Sequence, residues 1–148
     1  MKIHGSFAAL LLIVVALASG CASLPMADPA QDTAAKTFSV SPGKSKIYVY
    51  RNEGFGAAIT MDVFLNGRPL GRTVSKTYLV AEVDPGAYRL MGKAENEDSL
   101  DLMTAPGRVY YVWQEVKMGG LYGRNKLQQV DDATGRAGVM ECKLAAQN

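Results

Sequence analysis

Cys21 is the residue whose surroundings most clearly predict a chemical reaction. It follows Leu17-Ala18-Ser19-Gly20, which closes an uninterrupted apolar run from Phe7 to Leu17. That run is shorter than the ~20 residues needed to span a bilayer, but it has the length of the apolar part of a secretory signal peptide. Small residues before a cleavage point complete the pattern. The sequence therefore predicts a signal peptide over residues 1–20 and a new amino terminus at Cys21.

The motif that ends at Cys21 resembles the lipobox of bacterial lipoproteins, with Ala18 instead of leucine third before the cysteine. The resemblance implies that Cys21 carries two or three acyl chains such as palmitate. Attachment through two or more chains is effectively permanent. Because Ala22 rather than aspartate follows the cysteine, a Gram-negative host would place the protein on the outer membrane, facing the periplasm. An ordinary secreted protein, cut near Ala22, is the alternative.

Removal of the signal peptide would leave a chain without histidine. His4 is the single histidine of the sequence, and without an imidazole the Ser-His-Asp and Cys-His arrangements are excluded and the commonest zinc ligand is missing. Loss of Lys2 reduces the 16 Lys and Arg to 15, against 14 Asp and Glu, so the net charge falls from +2 to +1. That balance excludes the basic excess of a nucleic-acid-binding protein. We therefore predict no catalytic residue, no cofactor, no metal and no nucleic-acid partner.

Cys142 is the second cysteine, and it has no partner if lipid occupies Cys21. In an oxidising compartment such a thiol is either reactive or buried. Alternation along Val139–Leu144 places Met140, Cys142 and Leu144 on one face of a predicted strand. Because free cysteine is among the most buried residue types, the pattern favours a buried thiol over a reactive or intermolecular one.

Two acidic positions suggest chemistry on weaker grounds. Glu115 follows Trp113 in a strand, and a carboxylate beside aromatic rings can act as an acid with a raised pKa. Glycoside cleavage needs a second carboxylate, however, which the sequence does not identify. The run from Glu95 to Asp101 places hard oxygen ligands at the close spacing that calcium requires. It lacks the order and the glycine of an EF-hand, so a solvated turn is favoured over a cation site.

Two loops join glycines to an aromatic residue, Gly54-Phe55-Gly56 and Gly119–Arg124. Neither stands between a strand and a helix, so a phosphate-binding loop is disfavoured. As hairpin tips they would present Phe55 and Tyr122, with Arg124 nearby, and tyrosine and arginine are common interface anchors. Alternatively, the glycines serve backbone geometry and the aromatic rings fold back onto the core. We predict that Phe55, Tyr122 and Arg124 contact a partner, mainly through the second loop.

The elements that position these residues have the pattern of strands from residue 44 onward. Residues 59–66 alternate apolar and polar side chains and lead into Asn66-Gly67, a tight hairpin turn. About seven short strands, the longest over residues 108–118, with turn signals between them and no stretch of period 3.6, predict an all-β fold, a small antiparallel β-sandwich. The predicted core members are Val63, Leu65, Leu90, Tyr111, Val112 and Trp113.

Residues 21–43 form the predicted tether between the lipid and the sandwich domain, which spans residues 44–148. Asp28-Pro29, followed by residues 30–36, predicts an N-cap, a proline at the first helical position and a short helix. Phe38 and Val40 would then pin the segment onto the domain.

Two resemblances to known families rest on motifs in this region. Val63–Gly71 (VFLNGRPLG) and Val83–Tyr88 (VDPGAY) resemble the strand–turn–strand signature of PEGA-type surface domains, which are β-sandwiches. A wider resemblance runs from the lipobox to Cys142-Lys143 and includes Tyr48–Arg51 (YVYR) and Tyr111–Val116 (YVWQEV). It is to a family of small bacterial lipoproteins catalogued as a domain of unknown function. The resemblance implies the compartment and the fold, and neither family supplies functional residues.

These observations predict a non-enzymatic, lipid-anchored envelope protein that binds another envelope component, expected to be a protein. The alternative is a binder of a small ligand or glycan that stacks on Tyr48, Tyr50, Tyr110 and Trp113. Exposure of these four rings on one face would favour the ligand hypothesis, and burial would count against it. An enzyme is the third hypothesis, and it would need converging carboxylates or a reactive Cys142.

Overall fold

The structure, a computed structural model, describes residues 24–147. In chain order the elements are α1 (Pro29–Ala35), β1 (Ser45–Arg51), β2 (Met61–Leu65), β3 (Arg68–Thr73), β4 (Thr77–Val83), β5 (Gly86–Lys93), β6 (Glu97–Thr104), β7 (Val109–Met118), β8 (Gly123–Val130), α2 (Asp132–Met140) and β9 (Lys143–Leu144). One sheet has the order β8-β7-β1-β4-β9, and the other has the order β3-β2-β5-β6. Apolar side chains from both sheets share one core, so the domain is a β-sandwich.

The predicted all-β sandwich is confirmed, and so are its main turns. Asn66 and Gly67 have positive φ values of 49° and 77° and join β2 to β3 in a tight hairpin. The longest strand is β7, as predicted. The described residues form nine strands instead of about seven.

The five-stranded sheet is mixed rather than purely antiparallel. Strand β1 pairs with β7 in parallel, and β4 pairs with β9 in parallel. The chain passes from one sheet to the other after β1, β3, β4 and β6, so strands adjacent in sequence do not pair at those four places. A turn signal predicts a reversal of the chain, but it does not say which sheet the next strand joins.

The five-stranded sheet is covered on both faces. Ile47 and Val49 of β1 belong to the core between the sheets. Tyr48 and Tyr50, which alternate with them, lie in a second core beneath the helices together with Phe38, Tyr78, Tyr111, Val139, Cys142 and Leu144. Four of the six predicted core residues are buried (Val63, Leu90, Tyr111 and Val112), and Leu65 and Trp113 are partly buried.

The prediction of a strand over Val139–Leu144 is wrong for most of that segment, because α2 continues to Met140. The Asp131 side chain caps this helix by accepting a hydrogen bond of 2.8 Å from the backbone N–H of Thr134. Gly135 lies against Tyr111, where a Cβ atom would come within 2.1 Å of the ring. The alternation of Met140, Cys142 and Leu144 therefore fails at Met140, whose side chain is exposed.

The short helix predicted after Asp28 is confirmed as α1, and Asp28 forms a capping box with Gln31. Helix α1 is tied to the sandwich through Asp32, which accepts hydrogen bonds from the Tyr78 hydroxyl (2.8 Å) and from the backbone N–H of Leu144 (2.9 Å). Phe38 is buried, as predicted, and Val40 is half-buried.

The segment before α1 is also held against the domain. Met26 forms an antiparallel bridge with Ala145, and the backbone N–H of Ala27 donates to the Leu144 carbonyl oxygen at 3.0 Å. Much of the predicted tether thus lies on the sandwich, from residue 24 onward. Cys21 and the predicted signal peptide lie outside the described residues. Between residues 24 and 147, neither helix is long and apolar enough to cross a membrane.

Candidate interaction surface

The structure brings together the two glycine-aromatic loops that the sequence singled out. The loop that contains Phe55 lies beside the β7–β8 hairpin, and Ile59 fills the space between them. A Cβ atom at Gly56 would lie 3.0 Å from the Ile59 side chain and 3.1 Å from Val116, and one at Gly123 would lie 2.7 Å from Ile59. We call residues 54–59 and 117–124 together the tip.

The tip exposes four large apolar side chains. Phe55 and Tyr122 are both 55% exposed, so neither ring is folded back onto the core, and Arg124 is exposed beside them. Met118 and Leu121 are 81% and 91% exposed. Sequence reasoning did not select these two residues. Their exposure could have been predicted from their position at the turn of a hairpin, because side chains no longer alternate between core and surface there.

Glu95 holds the turn of this hairpin in place. Its carboxylate accepts hydrogen bonds from three successive backbone N–H groups, those of Gly120 (2.8 Å), Leu121 (3.2 Å) and Tyr122 (3.1 Å). The bonds from Tyr122 and Gly120 hold the pKa of the Glu95 carboxyl below its ordinary value. Glu95 therefore fixes the shape of a loop 25 residues away in sequence.

The rest of the acidic run is likewise engaged within the protein. The Asn96 side chain accepts from the backbone N–H of Asn125 at 2.7 Å and donates to the Asn125 carbonyl oxygen at 2.9 Å. Asp98 accepts from the backbone N–H of Leu127 at 2.7 Å. These side chains occupy the open edge of β8, so the solvated-turn interpretation describes only part of this run. Among the described residues, no group of three or more acidic, cysteine or histidine side chains is placed to hold a metal ion.

Arg51 fastens the other loop of the tip from inside the protein. Its guanidinium donates to the carbonyl oxygens of Ile59 (2.6 Å), Gly56 (3.1 Å) and Thr73 (3.1 Å), and the side chain is fully buried. Burial lowers the pKa of Arg51 to about 10, so the group stays charged at neutral pH. Sequence reasoning missed this residue, although an arginine that ends a strand of buried residues was a visible signal.

The other candidate residues lie elsewhere and have internal partners. The Cys142 thiol donates to the Arg51 carbonyl oxygen at 3.3 Å, and burial raises the pKa of this buried thiol to about 12. These properties agree with the prediction of an inert thiol. Glu115 accepts hydrogen bonds from Lys117 at 2.6 Å and from Gln128 at 2.5 Å.

The four aromatic residues of the ligand hypothesis do not form one exposed face. Tyr48 and Tyr50 are buried beneath the helices, and Tyr110 and Trp113 are half-buried. Tyr110 lines a groove of about 550 Å³, but Tyr48, Tyr50 and Trp113 do not line it. By the criterion that the sequence supplied, this placement counts against stacking of a ligand on these rings.

The fold and the tip together define a small β-sandwich protein with an apolar loop surface at one end. A family model described as "Protein of unknown function (DUF2846)" matches residues 41–125. The chain belongs to this family, as the resemblance found in the sequence implied. An uncharacterized protein of Haemophilus influenzae is 28% identical over 137 residues, which cover 91% of this chain and 82% of the relative.

Proposed function

We propose that this protein is a lipid-anchored, non-enzymatic interaction module of the cell envelope, held on the outer membrane and facing the periplasm. The lipobox at Cys21 supports the anchor. One observation carries the interaction role: the two loops selected from the sequence lie side by side and expose Phe55, Met118, Leu121 and Tyr122 at one end of the sandwich.

Folding does not account for these four side chains, because they remain in water. Contiguous exposed apolar patches mark interaction surfaces in soluble domains. The tip is also fastened to the domain, by Glu95 at the hairpin turn and by the buried Arg51 beneath the Phe55 loop. Such preorganisation lowers the entropy lost when a partner binds. A lipid anchor adds to this effect, because it raises the effective concentration of the domain near other envelope components.

The contact surface can be tested by photo-crosslinking in living cells from an unnatural residue at position 122. Met103 is the matched control, because it is 73% exposed and lies on the other sheet, in β6. We expect crosslinked products from position 122 that are absent from position 103. Identical products, or none from either position, would refute the tip as the surface that contacts an envelope protein.

The anchor is tested separately. We expect the amino-terminal peptide of the mature protein to carry the mass of acyl chains on Cys21, and a Cys21→Ser variant to leave the membrane fraction. An unmodified Cys21 would refute the lipid anchor without bearing on the tip.

A further inference from the structure

The β7–β8 hairpin arranges its side chains in a graded order along its axis. Leu121 lies at the turn, and Met118 and Tyr122 lie beside it. The next cross-strand pair down is Lys117 with Arg124, and Lys126 follows two residues after Arg124. From the end inward the hairpin thus presents apolar and aromatic side chains first and cationic ones behind them. A bilayer surface has the same order, because aliphatic groups enter the acyl region while aromatic rings and cations lie at the headgroup level.

The hairpin from residue 117 to 126 carries charge of one sign, although two carboxylates lie against it, that of Glu95 at the turn and that of Glu115 opposite Lys126. Residues 117–126 contain Lys117, Arg124 and Lys126 and no acidic residue. Lys117 makes an ion pair with Glu115 at 2.6 Å, whereas Arg124 and Lys126 make none with any residue that the structure describes. Two cations below an apolar turn are therefore available to anionic groups. Each such residue near an anionic membrane surface strengthens binding.

The backbone N–H groups of the turn have acceptors within the protein, and three of them share the charged Glu95 carboxylate, which keeps the turn itself at the headgroup level. The N–H groups of Gly120, Leu121 and Tyr122 donate to Glu95, and that of Gly119 donates to the Tyr122 carbonyl oxygen at 3.2 Å. An unpaired peptide N–H is costly to bury at a lipid interface. Internal pairing removes that cost for all four groups.

We infer that the tip docks on the surface of an anionic phospholipid bilayer. Leu121 enters the interface, Tyr122, Met118 and Phe55 lie at the headgroup level, and Arg124 and Lys126 pair with lipid phosphates. The inference rests on the proposed function, in which the tip is the contact surface. The apolar side chains project from a hairpin turn, and none of the grooves described for residues 24–147 is lined by the tip. A projecting apolar turn with cations behind it fits a deformable planar surface, and a protein partner is the other outcome of the test.

The test measures sedimentation of the mature chain (residues 21–148) with lipid vesicles. Cys21→Ser prevents acylation, so any binding comes from the folded domain. The vesicles contain phosphatidylcholine alone or an equal mixture with phosphatidylglycerol. We expect binding to the mixed vesicles that weakens as salt is added, because the attraction of exposed cations is screened. Leu121→Ser should weaken this binding about tenfold through the loss of one buried aliphatic side chain.

Matched controls distinguish binding through the tip from non-specific binding of other exposed apolar residues. Met103→Ser changes an exposed methionine at the end of β6 away from Glu95 and the tip, and it should leave binding unchanged. In a second measurement, a polarity-sensitive dye on Leu121→Cys should shift to the blue with mixed vesicles, and the same dye on Met103→Cys should not. Cys142 is buried and does not compete for the label.

Each outcome decides between the two proposals. Failure to bind mixed vesicles, or an equal loss in the Met103→Ser control, overturns lipid docking. If position 122 nevertheless crosslinks to one envelope protein in cells, the interaction module stands and its partner is that protein. If neither vesicles nor crosslinks report the tip, the proposed contact surface fails as well.

Discussion

Gly138 of α2 lies so close to the ring of Tyr50 that a Cβ atom there would be 2.1 Å from Cε2 of that ring. The helix can cover the aromatic face of the sheet because glycine leaves room for the ring. Gly135 makes the same kind of approach to Tyr111 one turn earlier. Two glycines three residues apart thus allow α2 to pack closely on the sheet, although glycine normally destabilises a helix.

Gly138→Ala should lower the free energy of unfolding by about 2 kcal/mol, because the added methyl overpacks the second core. The sign of this change identifies close packing, because Gly→Ala at an open helical position instead raises the free energy of unfolding by up to ~1 kcal/mol. Urea denaturation measures the difference. Gly54→Ala is the control: no other atom lies within 4 Å of its Cβ position, and its stability should hardly change. A Gly138→Ala variant as stable as the parent would contradict the close packing of α2.

Val63→Asp should abolish the native fold. Val63 is 1% exposed in the core between the sheets, and an unpaired carboxylate there costs more than most single domains can bear. Circular dichroism and the melting temperature report the loss. Ser99→Asp, at an exposed position of β6, should keep the parent melting temperature. Retention of that temperature by Val63→Asp would refute the register of β2.

The Cys142 thiol should resist small thiol reagents in the native state and react on unfolding. Its pKa of about 12 lies above the ordinary value of 9.0, because burial disfavours the thiolate. Its neutral form therefore contributes stability that is fully present below pH 9 and is lost as the pH rises from 9 towards 12. Reagent uptake at neutral pH, with and without urea, measures this protection. Rapid labelling of the folded chain would show that the thiol is accessible and would revive the enzyme hypothesis.

Glu95→Ala should loosen the hairpin turn while the sandwich stays folded. Three backbone N–H groups lose their acceptor, so the amides of Gly120, Leu121 and Tyr122 should exchange with solvent faster, by about tenfold. Glu97→Ala, two residues after Glu95 but paired with Lys93, is the matched control and should leave these amides unchanged.

Acid should have the same effect as removal of Glu95. Because the folded pKa of Glu95 is lowered, its contribution is present above the ordinary value of 4.5 and is lost as the pH falls through the folded value. Exchange rates at these amides that do not respond to the substitution or to acid would refute the role of Glu95.

Local pattern was sufficient to predict most of the strands and turns of this protein, because each depends on neighbouring residues. The alternation of apolar and polar residues predicted β2 and β7, and the N-cap and the proline predicted α1. The failures concern long-range choices. Helix α2 covers a face made by β1 and β7. The sequence of residues 132–140 does not show that this segment packs against Tyr50 and Tyr111. The parallel pairing of β1 with β7 likewise depends on which sheet each crossover enters.

The candidate surface was predictable only in its outer residues. Glycines beside aromatic rings pointed to Phe55 and Tyr122, and the structure places both at the tip. The residues that fasten the tip could not be paired from sequence, because Glu95 and Arg51 act on backbone groups rather than on complementary side chains. Backbone acceptors and donors have no residue signature, so only the fold shows which loop such a charged side chain serves.

The bridge between Met26 and Ala145 joins the two ends of the chain that the structure describes. The segment from residue 24 to 27 pairs with the outer side of residues 143–146, and these residues lie beside β4. The sandwich therefore holds residues 24–27 only through β9 and the residues that follow it. A change that displaced this two-residue strand would release both ends of the described chain together.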